Sequence, residues 1–374
     1  MEDQNGIRPP VDARTDKPAG ATLPPATALL CVLLAGALSM LCAEVLSGAS
    51  ILWFLSAWGW LVTFPLYMVH LVFLFSLAVL FRRTSLTSLY LWGVIFGMYE
   101  SWITKVTWAG YIGSEPAFGT VLGFAPIEFL IIVLFWHPVM SFLLPLLLFE
   151  TLSSSPEAGA TLLPGHRWLL AQGRRSTALF AGFALIGATF LAVNSGYNAI
   201  SALATLLVSA GIVAVLYHAV AKATKDNFSV FSLSLTRKRL ILALSYLAAL
   251  YIGAFFFLVP DRIPPLPTIA LTFLIYTVVV FLIWLDRPGP VEKEVPVNQE
   301  VLVQVHHLWR FLLLIAVLIV LFSFVPSLGG AAGTVIYLLL VILGPVLAVT
   351  VAGLVIFRFV KNRKSRDLPG AERT

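Results

Sequence analysis

GWLVTFPLYMVHLVFLFSLAVLF, residues 59–81, is followed at once by Arg82-Arg83. The run contains no Asp, Glu, Lys or Arg. An α-helix of that length covers the roughly 30 Å of a bilayer's hydrocarbon. The arginine pair marks the face it reaches, because basic residues collect on the cytoplasmic side. Nine further stretches follow the same pattern: 25–47, 86–106, 121–149, 177–194, 199–221, 240–259, 268–285, 309–325 and 333–359. Together they predict an all-α, polytopic integral membrane helix bundle of about ten transmembrane helices. With the N-terminus cytoplasmic, 22 of the 24 Lys and Arg residues fall on that side, and an even number of spans brings the C-terminus back there. The exceptions are Lys105 and Arg262. The pattern places the protein in the cell membrane as a multi-pass chain with both termini cytoplasmic.

Composition agrees. The 374 residues are 59% hydrophobic and only 11% charged, too few charges to keep a soluble fold of this size in solution. The net charge of +6 sits in loops and at the C-terminus, which points to anionic lipid headgroups and away from nucleic acid. Membrane lipids are the expected partners, and the oligomeric state is left open. Residues 1–24, polar and Pro-rich, read as a disordered cytoplasmic tail, 25–359 as a single transmembrane helical domain, and 360–374 as a basic cytoplasmic tail. The inside segments 150–176, 222–239 and 286–308 are too short for a sizeable soluble domain, so any chemistry happens in or beside the membrane. Cys31 and Cys42 lie on one helix, about 16 Å apart, too far for a disulfide. Segment 49–58 is apolar but short and reads as an interfacial or re-entrant piece. Pro126, Pro138 and Pro145 predict a kinked or broken fourth helix, and Pro65 and Gly344-Pro345 predict disturbances in two others.

Ionisable residues inside hydrocarbon are expensive and mark candidate sites. Four stand at similar depth below the outer surface: Glu44 in helix one, Glu100 and Lys105 in helix three, and Glu128 in helix four. Sharing one cavity, three carboxylates and an ammonium would bind a substrate or carry protons. Gly93, Gly97, Glu100 and Thr104 stack on one helical face by three- and four-residue spacing, with Tyr99 and Ser101 pointing elsewhere. The two glycines form a G-x-x-x-G pair that lets a neighbouring backbone close in. Lys105 either pins a carboxylate or holds an anionic group. His70 and His137, mid-membrane in helices two and four, are weaker candidates. No metal-binding His-x-x-x-His or His-Glu-x-x-His appears, and neither does a P-loop or dinucleotide motif, so no cofactor or metal is expected. His166, His218 and His306-His307 fit solvated or interfacial positions. Asn194, Ser195, Tyr197 and Asn198 form a polar outer turn, either a cavity entrance or a plain hairpin. Residues 260–267, PDRIPPLP, form a stiff outer connection.

Two runs, Ala43-Glu44-Val45-Leu46-Ser47-Gly48 and Phe96-Gly97-Met98-Tyr99-Glu100, resemble a family of uncharacterised prokaryotic multipass membrane proteins. In that family a Glu-Val-Leu-Ser-Gly run closes the first helix and a Tyr-Gly-Ile-x-Glu-Glu-like run closes the third. The resemblance covers about the first 110 residues, with Phe96 and Ser101 as departures. It implies a polytopic fold and no particular activity. The window Tyr99–Thr104 is also similar to the Glu-Glu-x-x-x-Arg motif of CAAX-protease-like intramembrane peptidases. Here Tyr99 replaces the first Glu and Thr104 the Arg, so the paired carboxylate is missing.

Three functions are compatible with these features. One is a transporter or permease for a small or lipid-linked solute that uses the outer-leaflet carboxylates. The second is a structural or accessory membrane protein, and the third an intramembrane hydrolase or peptidase. Whether the chain is an enzyme is left open.

Overall fold

The computed structural model describes residues 23–153, 160–289, 293–295 and 302–366. Its helices, in chain order, are α1 (Pro25–Val45), α2 (Gly59–Leu80), α3 (Leu86–Gly97), α4 (Pro126–Ser153), α5 (Arg174–Asn194), α6 (Ala199–Thr224), α7 (Arg237–Phe257), α8 (Leu266–Leu285), α9 (Val305–Phe324) and α10 (Pro326–Arg366). All except α3 are long and apolar enough to cross a membrane, nine such helices among the described residues. The fold is an all-α polytopic bundle. One antiparallel strand pair, β1 (Ala160–Leu162) with β2 (Lys293–Val295), ties two loops together. The expected tail at 1–24 lies almost wholly outside the described residues, and residues 360–366 continue α10.

The expected span 86–106 is interrupted. After α3 the chain breaks at Met98, makes one helical turn at Tyr99–Trp102, enters the left-handed region at Lys105 (φ 59°) and makes another turn at Val106–Ala109. It still runs along most of α8. Just past its C-terminal end Asp286 Oδ2 accepts hydroxyl hydrogen bonds from Ser85, Thr87 and Ser88 at 2.6–2.9 Å. Further along, Trp108 Nε1 donates to Thr272 Oγ1 at 3.1 Å. The helix between Thr272 and Asp286 measures about 21 Å, so the broken segment covers roughly two-thirds of the hydrocarbon depth without being one helix.

The prolines act where the sequence places them, with one exception. Pro126 opens α4, where its missing N–H costs nothing. From Phe129 to Leu143, around Pro138, α4 winds in the wider i→i+5 pattern before Pro145 helps restart α-helical winding. The Leu134 carbonyl, which an α-helical residue 138 would serve, accepts from the Tyr90 hydroxyl at 2.6 Å. The same wide winding occurs at Leu41–Val45 in α1 and at Gly59–Thr63 just before Pro65. Gly344-Pro345, by contrast, leaves α10 continuous.

Lipid supplies no hydrophobic drive between helices, so close fit decides their arrangement. Gly93 and Gly97 provide it. A Cβ at Gly93 would lie 2.5 Å from Pro138 Cα, and one at Gly97 would lie 3.0 Å from His137 Cβ. Only hydrogen lets α3 lie this close to the widened part of α4. Helix α4 is the centre of the bundle, with 83% of its most apolar window buried, and α7 is the periphery, with 6%. Polar contacts hold α7 instead. Lys105, fully buried, donates to the carbonyls of Ala254 (2.7 Å) and Leu258 at its C-terminal end, Tyr251 bonds His70 (3.0 Å) midway, and the Leu235 N–H just before its start donates to Ser76 Oγ (2.9 Å). Segment 49–58 folds back against α6. The Leu52 N–H donates to Thr205 Oγ1, the Trp53 indole donates to Ser209 Oγ, both at 3.0 Å, and Trp53 stacks on Phe64.

Candidate functional site

At the basic-poor end the bundle encloses a cavity of about 740 Å³ between α1, α4, α5 and α10. Ala49, Tyr111, Asn194 and Thr334 are exposed around it, whereas Tyr67, Glu100 and His137 are buried at 1%, 9% and 2% exposure. That gradient makes the first four the rim and the last three the floor.

Glu44 reaches the cavity through the wide turn that ends α1. That turn leaves the Glu44 carbonyl to accept from Ala49 N–H and Ser47 Oγ. The chain then reverses at Gly48 (φ +70°), where a Cβ would meet Asn194 Cβ at 2.7 Å and the Phe190 carbonyl at 2.9 Å. The Glu44 carboxylate accepts from Ser50 Oγ and, at 2.5 Å, from the Tyr67 hydroxyl. The Tyr67 oxygen lies 2.6 Å from the hydroxyl of Tyr99, the residue directly before Glu100. Glu100 accepts from Thr104 Oγ1 and lies 3.0 Å from His137 Nε2, and His137 Nδ1 lies 2.8 Å from Ser141 Oγ. An ionised Glu100 can only accept, so Nε2 carries a proton. A neutral His137 then accepts at Nδ1 from Ser141.

The two runs carrying the family resemblance thus meet across Tyr67. Two hydrogen-bonded sets lie side by side: Glu44 with Tyr67 and Tyr99, and Glu100 with His137 and Ser141.

Of the sequence candidates, Glu44, Glu100 and His137 line the cavity, and Thr104 holds Glu100. Lys105 does not pair with Glu100. Its ammonium sits at the α7 C-terminus, where exposed carbonyls favour a cation. Glu128 faces the loop above α4, with Oε1 3.3 Å from the Ala117 N–H and Oε2 buried without a hydrogen-bond partner among the described residues. His70 bonds the Leu66 carbonyl (2.8 Å) and Tyr251, and stacks on Phe96, outside the cavity. Tyr99 joins the site against the expectation from helical spacing, because α3 ends before it. Asn194 stands on the rim and donates to the Ser47 carbonyl at 2.6 Å. His166 pairs at the other end of the bundle with the fully buried Glu150, whose Oε1 also accepts from Leu163 N–H at 2.6 Å. Sequence spacing signals neither Tyr67 nor Glu150 as a partner. Among the described residues no three His, Cys, Asp or Glu side chains converge to hold a metal.

Nine membrane-length helices among the described residues define a polytopic integral membrane protein, consistent with the cell membrane. Residues 33–364 match the profile of a family described as "Uncharacterized membrane protein family", and the chain belongs to it. It is 44% identical over 127 residues to an "Uncharacterized protein" of Archaeoglobus fulgidus, a match covering 33% of this chain and 38% of that relative. The chain thus spans well under half of the relative's length. No solved structure matches. The family match extends far beyond the first 110 residues, and neither description mentions a peptidase.

Proposed function

We propose that the protein is a permease that exchanges protons for a small cationic solute at the Glu44–Glu100 pair. One observation carries this: two carboxylates from separate segments line one cavity, and two hydrogen-bonded tyrosine hydroxyls lead from Glu44 towards Glu100. Such a chain passes a proton by shifting each hydroxyl's donor role, with no heavy atom moving far. A cation bound between the carboxylates takes the place of a proton, since either supplies the positive charge the pair needs. Competition for one site couples the two fluxes.

The lining favours a cation over an anion. It contains two carboxylates and, among the described residues, no Lys or Arg. Tyr67, Tyr111, Trp136, Phe190 and Tyr337 offer ring faces that attract cations, those of an organic amine included. Below the floor, Met140, Phe96 and Phe142 are fully buried, which fits a state open to one side.

The test is flux in proteoliposomes with a pH dye in the lumen and a panel of organic ammonium ions outside. Each transported ion is expected to drive proton exit, and Glu44→Gln and Glu100→Gln to abolish it while elution and thermal unfolding stay normal. Solute entry without proton movement, or unchanged flux in both variants, would overturn the proposal.

A further inference from the structure

A second cavity, of about 440 Å³, opens at the basic-rich end between the α2–α3 turn, the end of α8 and the end of α10. Arg83, Arg287 and Arg363 line it together with Asp286, Trp284 and Phe359. Its frame is built. The Gly289 N–H donates to the Arg82 carbonyl at 3.1 Å, holding the α8 exit against the turn that carries Arg83. Arg83 Nη2 donates to the Trp284 carbonyl at 2.9 Å. Its other terminal nitrogen, Nη1, has no hydrogen-bond partner among the described residues, although the residue is only 9% exposed.

A buried guanidinium nitrogen without an acceptor is costly, and a neighbouring carboxylate would normally supply one. Asp286 is adjacent but already committed. Its Oδ2 accepts three hydroxyls, and its Oδ1 lies 3.9 Å from Arg358 Nη1. Among the described residues that line the cavity, Arg83, Arg287 and Arg363 therefore face a single carboxylate, leaving an excess of two positive charges beside an idle donor.

We infer that this cavity binds a phosphate-type oxyanion, with Arg83 Nη1 as the buried donor and Arg287 and Arg363 as the outer ones. Guanidinium forks match phosphate oxygens in number and plane. The surroundings favour an anionic phospholipid headgroup as the source. Trp284 is 66% exposed and stacked with Phe281, as aromatic residues are at the headgroup level. Phe359 supplies an apolar wall for the glycerol end. The site is separate from the carboxylate cavity and independent of the permease proposal.

The test uses the full-length protein in phosphatidylcholine nanodiscs, either doped with phosphatidylglycerol or undoped with millimolar sodium phosphate. Native mass spectrometry and thermal unfolding are the readouts. Phosphatidylglycerol is expected to stay bound at one molecule per chain and to raise the unfolding temperature. Arg83→Gln and Arg363→Gln should each weaken binding about tenfold, the loss of one charge-assisted contact. Arg239→Gln, outside the cavity lining, should not. Arg363 is exposed, so its replacement leaves the fold intact should Arg83→Gln not fold. An equal effect of sodium phosphate would support the same site with free phosphate as its ligand. Binding of neither probe, or phosphatidylglycerol binding that survives Arg83→Gln and Arg363→Gln, would overturn the inference.

Discussion

Replacing Tyr67 with Phe removes one oxygen from the middle of the Glu44–Tyr67–Tyr99 chain and little else. The ring stays in its slot beside Phe96 and His137, at centroid distances of 5.7 and 6.1 Å. Lost are the 2.5 Å bond to Glu44 and the 2.6 Å contact with Tyr99. Glu44 keeps Ser50 as a donor, so the carboxylate is not stranded, and the expected loss of stability is about 1–3 kcal/mol. The consequence for proton movement is larger. The two contacts laid end to end bound the new gap between Glu44 and Tyr99 at about 5 Å. A proton hop needs a donor and acceptor at hydrogen-bond distance, about 2.6–3.2 Å. Proton-coupled flux should therefore fall roughly 10²–10⁴-fold, the range lost with a positioned proton-transfer group. The assay is dye-reported proton exit from proteoliposomes, with thermal unfolding of the same preparation as the control for folding. Unchanged coupled flux in a folded Tyr67→Phe protein would refute the tyrosine relay.

Other outcomes follow from the same geometry. Gly93→Val would put a side chain 2.5 Å from Pro138 Cα, where only backbone could yield, and should cost about 3 kcal/mol or more by thermal unfolding in detergent. Lys105→Met strips the donor from the Ala254 and Leu258 carbonyls and should lower stability by about 1.5–3 kcal/mol. A flux defect at unchanged stability would instead place Lys105 in the site. Orientation is open to cysteine labelling, because native Cys31 and Cys42 are buried. An impermeant maleimide on intact cells should label Ser114→Cys and not Lys225→Cys, and the opposite result would invert the topology.

The bundle was legible in the sequence because hydrocarbon imposes simple terms: about 20 apolar residues per crossing, with basic residues gathered at one end. The third crossing escaped that logic. Residues 86–106 are apolar enough, but Met98 and Lys105 mark breaks that hydropathy does not register. The depth of Glu44 and Glu100 was readable from their positions along the runs, and a close-packed neighbour for α3 from the Gly93/Gly97 spacing, though not that the neighbour is α4. Tyr67 was not, because a tyrosine in an apolar run satisfies hydropathy whether or not its hydroxyl has a partner. Lys105 shows the opposite limit. An ammonium five residues from a cavity-lining carboxyl suggests an ion pair. The intervening break turns it towards another helix, where backbone oxygens compensate its charge.

Helix α7 is pinned near one tip by that ammonium and turns most of its length towards lipid. Its 21 residues measure about 31 Å, close to the bilayer's hydrocarbon thickness. The opposite tip carries Arg237, Lys238 and Arg239, whose long stems can reach up or down to the headgroups. A thicker or thinner membrane therefore does not slide this helix. It tilts it against its polar ties at Lys105, Tyr251 and Leu235, so lipid composition bears on the broken segment that carries Glu100.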